Sequence, residues 1–369
     1  MKRAAPPFLA LPRATRHHEE NHVRRSIPLA TVAGLMLTLL TTASVAARAP
    51  MALGISSERS TDLAAINDYK ASTGAKPALW TLWSDWGSRG GQTNCVKGVG
   101  SCAFPTDLVR GIRTRGVTPF IWWQPTDPAV DRSNPCTEPV ARSAYASYPQ
   151  ITKGKHDKYI RDWAKAAKAY GKPVIVRFAH EMNGTWFPWS ICDKNGNTPK
   201  AFNAAWRHIV NEFRSVGARN VKFLWSPYNT ESGGYAPFYP GNAHVDYVGV
   251  TSLNWGNERW RPLSGLLERP MNVLQNVSRT SGNPKGKPVI LSEVGSNHLG
   301  GDKPGWIRDG YAHAYKKYPT IRAMIYFDIN TAAITEGQPD WRLAMPEDGS
   351  ALAAYQSVAT KPIFRAAFP

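Results

Sequence analysis

The 369-residue chain is poor in the features that build metal centres, repeats and nucleic-acid surfaces. It has only four cysteines, with no Cys-x-x-Cys step and no Cys/His grouping at ligand spacing, so no metal and no cofactor are expected. After residue 50 there is no internal repeat and no low-complexity linker, which argues against a separate appended module. The net charge is +18, yet no polybasic run follows the N-terminus. Seven Lys/Arg against two Asp/Glu lie in the first 48 residues, which leaves about +13 for the rest. That remainder is scattered over helical segments through Lys153, Lys155, Lys158, Lys165 and Lys168. Scattered charge reads as a solvated face, and nucleic acid is not an expected partner. Its long-range field still favours acidic polymers.

The N-terminus reads as an export signal. Arg24-Arg25 precede an apolar stretch from Ile27 to Val45, and the small residues Ala43-Ser44-Val45-Ala46-Ala47 suit a cleavage site. Residues 1–48 are therefore assigned as a signal peptide or N-terminal membrane anchor, and residues 50–369 as one catalytic domain. Pro28, Gly34 and several threonines weaken the stretch as a permanent anchor. The expectation is a secreted monomer. The alternative is a protein anchored to the membrane and facing outside, with membrane contact only if the segment stays uncleaved. Cysteines suit an oxidising compartment. Four allow three pairings; Cys95 and Cys102 share a Gly-rich loop, so a local bridge is natural and leaves Cys136 with Cys192.

Strand-like and helix-like segments then alternate to the C-terminus. Candidate strands are Leu53–Ser56, Ala78–Trp83, Thr118–Trp123, Val174–Phe178, Val221–Trp225, Tyr247–Ser252, Val289–Leu291 and Met324–Phe327. Between them, Lys155–Tyr170 and Ala201–Val216 carry apolar residues at helical spacing, with Gly171 and Gly217 as stops. Eight strands with intervening helices predict an α/β fold, a (β/α)8 TIM barrel whose site lies at the carboxyl ends of its strands.

Two carboxylates stand at equivalent places in this pattern. Pro173–Phe178 reads as a buried strand and runs into His180-Glu181-Met182-Asn183-Gly184-Thr185-Trp186-Phe187-Pro188-Trp189. A zinc reading of His180-Glu181 fails, because the metalloprotease helix needs a second His where Gly184 stands. Lys287–Leu291 is again a turn and a short apolar strand, followed by Ser292-Glu293-Val294-Gly295. A retaining glycosidase needs one acid/base and one nucleophile roughly 5–5.5 Å apart. The bland readings are a helix cap for Glu181 and a structural carboxylate for Glu293. Ten of fourteen tryptophans fall at or just after candidate strands, which suits pyranose stacking.

The run Arg177-Phe178-Ala179-His180-Glu181-Met182-Asn183-Gly184, with Leu291-Ser292-Glu293-Val294-Gly295-Ser296, resembles glycoside hydrolase family 26, and the resemblance extends from about Met51 onward. It implies Glu181 as acid/base, Glu293 as nucleophile, Trp186 in the sugar site, and Arg177 and His180 orienting the carboxylates. Asn183, Trp189, Trp225, Tyr228, Asn254 and Trp255 complete the candidate substrate-binding set at the strand mouths. The chain departs from that family at two places. Leu253 is nearest to a Tyr that in many members bonds the nucleophile, and strand eight reads Ile325-Tyr326-Phe327-Asp328 where mannanases place a Trp nearby.

The expected activity is a secreted retaining endo-β-glycanase on β-1,4-linked polysaccharide, foremost β-mannan. The alternatives are a mixed-linkage β-glucanase or exopolysaccharide hydrolase, or a carbohydrate-binding barrel with weakened turnover.

Overall fold

The computed structural model describes residues 48–87, 102–127, 144–191, 196–229, 234–333, 337–345 and 349–368. Eight parallel strands close into a barrel in sequence order. They are β1 (Ala52–Ser57), β2 (Leu79–Asp85), β3 (Thr118–Gln124), β4 (Val174–Phe178), β5 (Val221–Trp225), β6 (Tyr247–Asn254), β7 (Val289–Ser296) and β8 (Ile321–Asp328). Pairing of β1 with β8, from Ala52 opposite Ala323 to Ser57 opposite Asp328, closes the ring. The helices lie outside: α1 (Ala64–Thr73), α2 (Thr106–Thr114), α3 (Tyr148–Thr152), α4 (Asp157–Tyr170), α5 (Pro199–Ser215), α6 (Leu263–Thr280), α7 (Lys303–Lys317) and α8 (Ser350–Ala359).

Alternation along each strand sorts the side chains into two cores. Ile175, Leu224, Ile290, Ala323 and Ile325 fill the barrel interior, while Val174, Val176, Phe223, Leu291 and Met324 pack outward against the helices. Close strand approach demands glycine at Gly249, where a Cβ would sit 2.2 Å from the Ile290 carbonyl oxygen. Phe368 seals the floor: its carbonyl accepts from Thr118 Oγ1 at 2.8 Å, and its ring lies 5.6 Å from that of Tyr247.

The barrel matches the sequence expectation, with two changes of boundary that bear on the site. The seventh strand runs to Ser296, so Glu293 lies inside β7 rather than at its end. The sixth extends to Asn254. Among the described residues no helix is long and apolar enough to cross a membrane. The apolar stretch Ile27–Val45 and the cysteines Cys95, Cys136 and Cys192 lie outside the described residues, while Cys102 is disulfide-bonded.

Candidate active site

Two backbone irregularities aim the carboxylates. In β7 strict alternation would turn Glu293 to the same side as Leu291, toward the helices. The register with β6 shifts instead: Val250 pairs Leu291, and Thr251 pairs Glu293, leaving Ser292 as an extra residue. Leu291 and Val294 both face the helix layer, and Ser292 and Glu293 both turn inward. After β4 the chain enters left-handed backbone at Ala179 (φ 42°) and again at Glu181 (φ 53°). Such conformations cost of order 1–3 kcal/mol each in non-glycine residues and persist only where the surroundings impose them. Here the Glu181 amide donates to the Ser226 carbonyl of the neighbouring segment at 2.9 Å.

Arg177, fully buried on β4, joins the two acids. One terminal nitrogen donates to Glu293 Oε1. The other lies 4.0 Å from Glu181 Oε1 and donates to Thr251 Oγ1 at 2.9 Å. Thr251 in turn donates to Glu293 Oε1 at 3.2 Å. Trp122 lies 4.6 Å from the guanidinium carbon, covering its face. Glu181 accepts from Trp186 Nε1 at 2.9 Å, and the Thr251 hydroxyl also hydrogen-bonds it.

Burial raises the Glu181 pKa to about 7, and the neighbouring Glu293 charge adds to this. Burial also raises Glu293, but direct contact with Arg177 and the Thr251 hydroxyl oppose it. Of the two, Glu293 is therefore the group that carries the negative charge, and Glu181 the group that holds a proton. Such a pair can protonate a leaving oxygen from one side while presenting a carboxylate from the other.

The structure divides the sequence-predicted binding residues. Trp186, the exposed member, lies edge-on to Tyr228 with ring centres 4.9 Å apart. Gly184 makes room for it, since a Cβ there would meet the indole at 2.5 Å. Tyr228 and Trp255 are half-buried at the mouth and joined by a 3.0 Å bond from Trp255 Nε1 to the Tyr228 hydroxyl. Asn183 is a latch, bonding the Tyr228 backbone in both directions at 2.8 and 3.0 Å.

Four residues do not face a substrate. Trp225 is buried against Tyr235 and Tyr239, because the last residue of β5 points to the helix layer. Trp189 stacks on Phe187 with ring centres 4.5 Å apart, and its Nε1 donates to the His180 carbonyl. Asn254 is buried with its amide on Ser296 Oγ and its oxygen on the Arg261 amide. The His180 ring lies among Trp122, Phe187 and Trp189, and burial pushes its pKa well below the usual value, so it packs as neutral imidazole. The strand-end tryptophans are likewise more structural than expected: Trp80, Trp86, Trp122, Trp123, Trp189 and Trp225 are all buried.

Sequence reasoning missed Thr251, whose role depends on the β7 bulge. It also missed Trp341, which reaches back from beyond β8 to lie edge-on to Trp255 at 5.6 Å. Leu253 carries no hydroxyl and faces the cavity beside Thr251, so the hydroxyl contact to Glu293 comes from Thr251 instead.

A cluster of metal-type donors does exist in the helix layer, where Asp157 on α4 meets His208 and Glu212 on α5. His208 Nε2 lies 2.6 Å from Asp157 Oδ1, and Arg161 holds Glu212 at 2.8 Å. The guanidinium supplies the positive charge that the carboxylates require.

In this (β/α)8 barrel one arginine reaches a carboxylate within the seventh strand and another just after the fourth, the kind of paired acids that retaining glycosidases require. The model of glycosyl hydrolase family 26 matches residues 136–259 of this chain. It is 35% identical over 217 residues to Endoglucanase H of Acetivibrio thermocellus, a match covering 56% of this chain and 22% of that protein. Against a mannan endo-1,4-beta-mannosidase of Bacillus subtilis it is 25% identical over 194 residues, 50% of this chain and 52% of that one. In both cases the match spans less than two thirds of the relative. In fold it is similar to a GH26 beta-mannanase from Bacteroides ovatus, with TM-score 0.59 and 17% identity, covering 86% of this chain and 90% of that one.

Proposed function

We propose that the protein hydrolyses a β-linked polysaccharide by double displacement, acting within the chain, with β-1,4-mannan as the leading substrate. The observation that carries this reading is Arg177 reaching both carboxylates, which keeps them close together and differently charged. Glu293 attacks the anomeric carbon and the glycosidic C–O bond breaks, its oxygen taking the proton of Glu181. Glu181 then draws a proton from water, whose oxygen displaces Glu293 from the sugar. Trp186 and Tyr228 offer aromatic faces at the mouth for sugar rings. Support for mannan comes from the mannosidase relative.

A second reading, a β-glucanase, is favoured by the endoglucanase relative and by strand eight, Ile325-Tyr326-Phe327-Asp328, where mannanases of the resembled family place a Trp nearby. Reducing-end release from galactomannan, glucomannan, lichenan, xylan and carboxymethylcellulose separates these readings. Retained anomeric configuration in the first product, read by proton NMR, tests the mechanism. Binding without hydrolysis above the Glu293→Gln background would instead establish a binding barrel. We further propose export through the segment ending near Ala47. N-terminal sequencing of protein from culture supernatant, against protein from the membrane fraction, decides between cleavage and anchoring.

A further inference from the structure

The fold gathers charge that the sequence scatters. In a (β/α)8 barrel the helices return antiparallel to the strands, so every loop that leads into a strand lies at the end opposite the mouth. The loops there carry Lys76, Lys172, Arg219, Lys285 and Lys287, and Asp246 is the one acid among their described residues. The acids gather at the other end, where Glu58, Asp62, Asp302, Asp328 and Asp340 end or follow the strands at the mouth.

Two recesses, of about 630 and 380 Å³, flank Ala366-Ala367 under the barrel. Lys285, Lys287 and Arg322 border the first, Lys70, Lys76 and Arg365 the second, and no carboxylate lines either among the described residues. All six except Lys287 are exposed. Asp246 beside Lys287 offsets one of these charges. Arg365 donates to a carbonyl, that of Gly74 at 3.3 Å, which leaves its charge in place. A cation in the last turn of a helix complements the macrodipole, and Lys70 is such a residue. That account does not reach the loop cations, nor Arg322 within β8.

Arg48 is fixed at the same end. Its guanidinium donates to the Tyr318 carbonyl at 2.8 Å, and its own carbonyl accepts from the Tyr315 hydroxyl at 3.1 Å. The apolar run Ile27–Val45 ends just before it in the sequence, so a chain held in a bilayer by that run joins its folded domain at the cationic end. We propose that this end of the barrel docks on a bilayer surface rich in anionic phospholipid, with the mouth turned away from the lipid. A broad cationic end matches a flat anionic surface, each Lys or Arg close to it raising partition roughly 5-fold. The acids at the mouth orient the molecule by repulsion. None of these residues belongs to the carboxylate site, so the proposal stands apart from the hydrolase reading.

The probes are vesicles of phosphatidylcholine alone and of equal parts phosphatidylcholine and phosphatidylglycerol. Co-sedimentation of the full chain gives its partition to each. The N-terminal apolar run is common to every protein compared, so it cancels in the ratio of anionic to neutral partition. That ratio is expected to exceed about 100 at low salt and to fall steeply as salt rises. Lys285→Glu with Arg322→Glu is expected to lower it at least about 10-fold, and Lys76→Glu with Arg365→Glu, at the second recess, to do the same. Lys153→Glu with Lys155→Glu makes an equal change in net charge at exposed residues just before α4, on the mouth side. This variant is expected to stay within about 3-fold of the parent, because the charges lie beyond the screening length from the lipid. Equal partition to the two vesicles overturns the proposal, as does an unchanged ratio in both floor variants. An equal loss in the mouth-side variant overturns it too, since net charge alone would then explain binding. Retention in gels holding polygalacturonate, without preference for anionic vesicles, also overturns it and assigns the face to an acidic polysaccharide.

Discussion

Arg177 and Glu293 form a buried ion pair across the barrel interior, from the fourth strand to the seventh. The same guanidinium stands 4.0 Å from Glu181, so one cation sets the charge of both acids. Breaking a buried pair by removing one partner costs about 3–5 kcal/mol, since the other is left uncompensated. Arg177→Met is expected to lower stability by that order at neutral pH and to recover part of it as Glu293 becomes protonated at lower pH. Urea unfolding at several pH values measures both effects.

Glu293→Gln keeps shape and hydrogen bonding but removes the attacking charge. Turnover is expected to fall by at least about three orders of magnitude, because no covalent intermediate can form. Oligosaccharide affinity, measured by calorimetry, is expected to change little.

Glu181 sets the alkaline limb of activity. Its pKa of about 7 means that the required proton is lost above neutrality, so kcat/KM is expected to fall as pH rises through that value. The same shift acts on stability. A carboxyl whose folded pKa is raised from 4.5 contributes stability that is complete below the unfolded value and is lost as pH rises through about 7. Glu181→Gln removes both dependences, which paired pH–rate profiles and unfolding curves would show.

Thr251 positions Glu293 through one hydroxyl, which donates to its Oε1 at 3.2 Å and also favours ionised Glu181. A hydrogen bond to a charged group contributes about 1.5–3 kcal/mol, so Thr251→Val is expected to lower kcat/KM roughly 10- to 100-fold. The acid limb of the pH profile is expected to move upward, because the hydroxyl favours ionised Glu293. Thr251→Ser is expected to restore that limb, which a merely structural loss would not allow.

Trp186 combines two contributions that separate by substitution. Trp186→Phe keeps an aromatic face but removes the N–H that lowers the Glu181 pKa, so the alkaline limb is expected to rise with KM little changed. Trp186→Ala is expected to raise KM as well, through lost stacking and positioning. Michaelis–Menten kinetics across the pH range distinguish the two.

The sequence by itself determined the barrel. The eight strand segments are short apolar runs bounded by turn residues, and two of them, Val174–Phe178 and Val221–Trp225, are the observed strands end to end. Such patterning is local, since side-chain alternation and helical spacing are properties of neighbouring residues. Glu181 and Glu293 were legible for the same reason, each standing just after an apolar run. Tertiary structure decided which way they point and what surrounds them. The inward turn of Glu293 comes from an extra residue in β7 that only the register with β6 reveals, and that register brings Thr251 to it. Trp225 shows the same limit from the other side. Its place at a strand end suggested the sugar site, but the parity of the strand buries it against Tyr235 and Tyr239. Facing is set by pairing and twist across distant segments, and these are absent from any local pattern of residues.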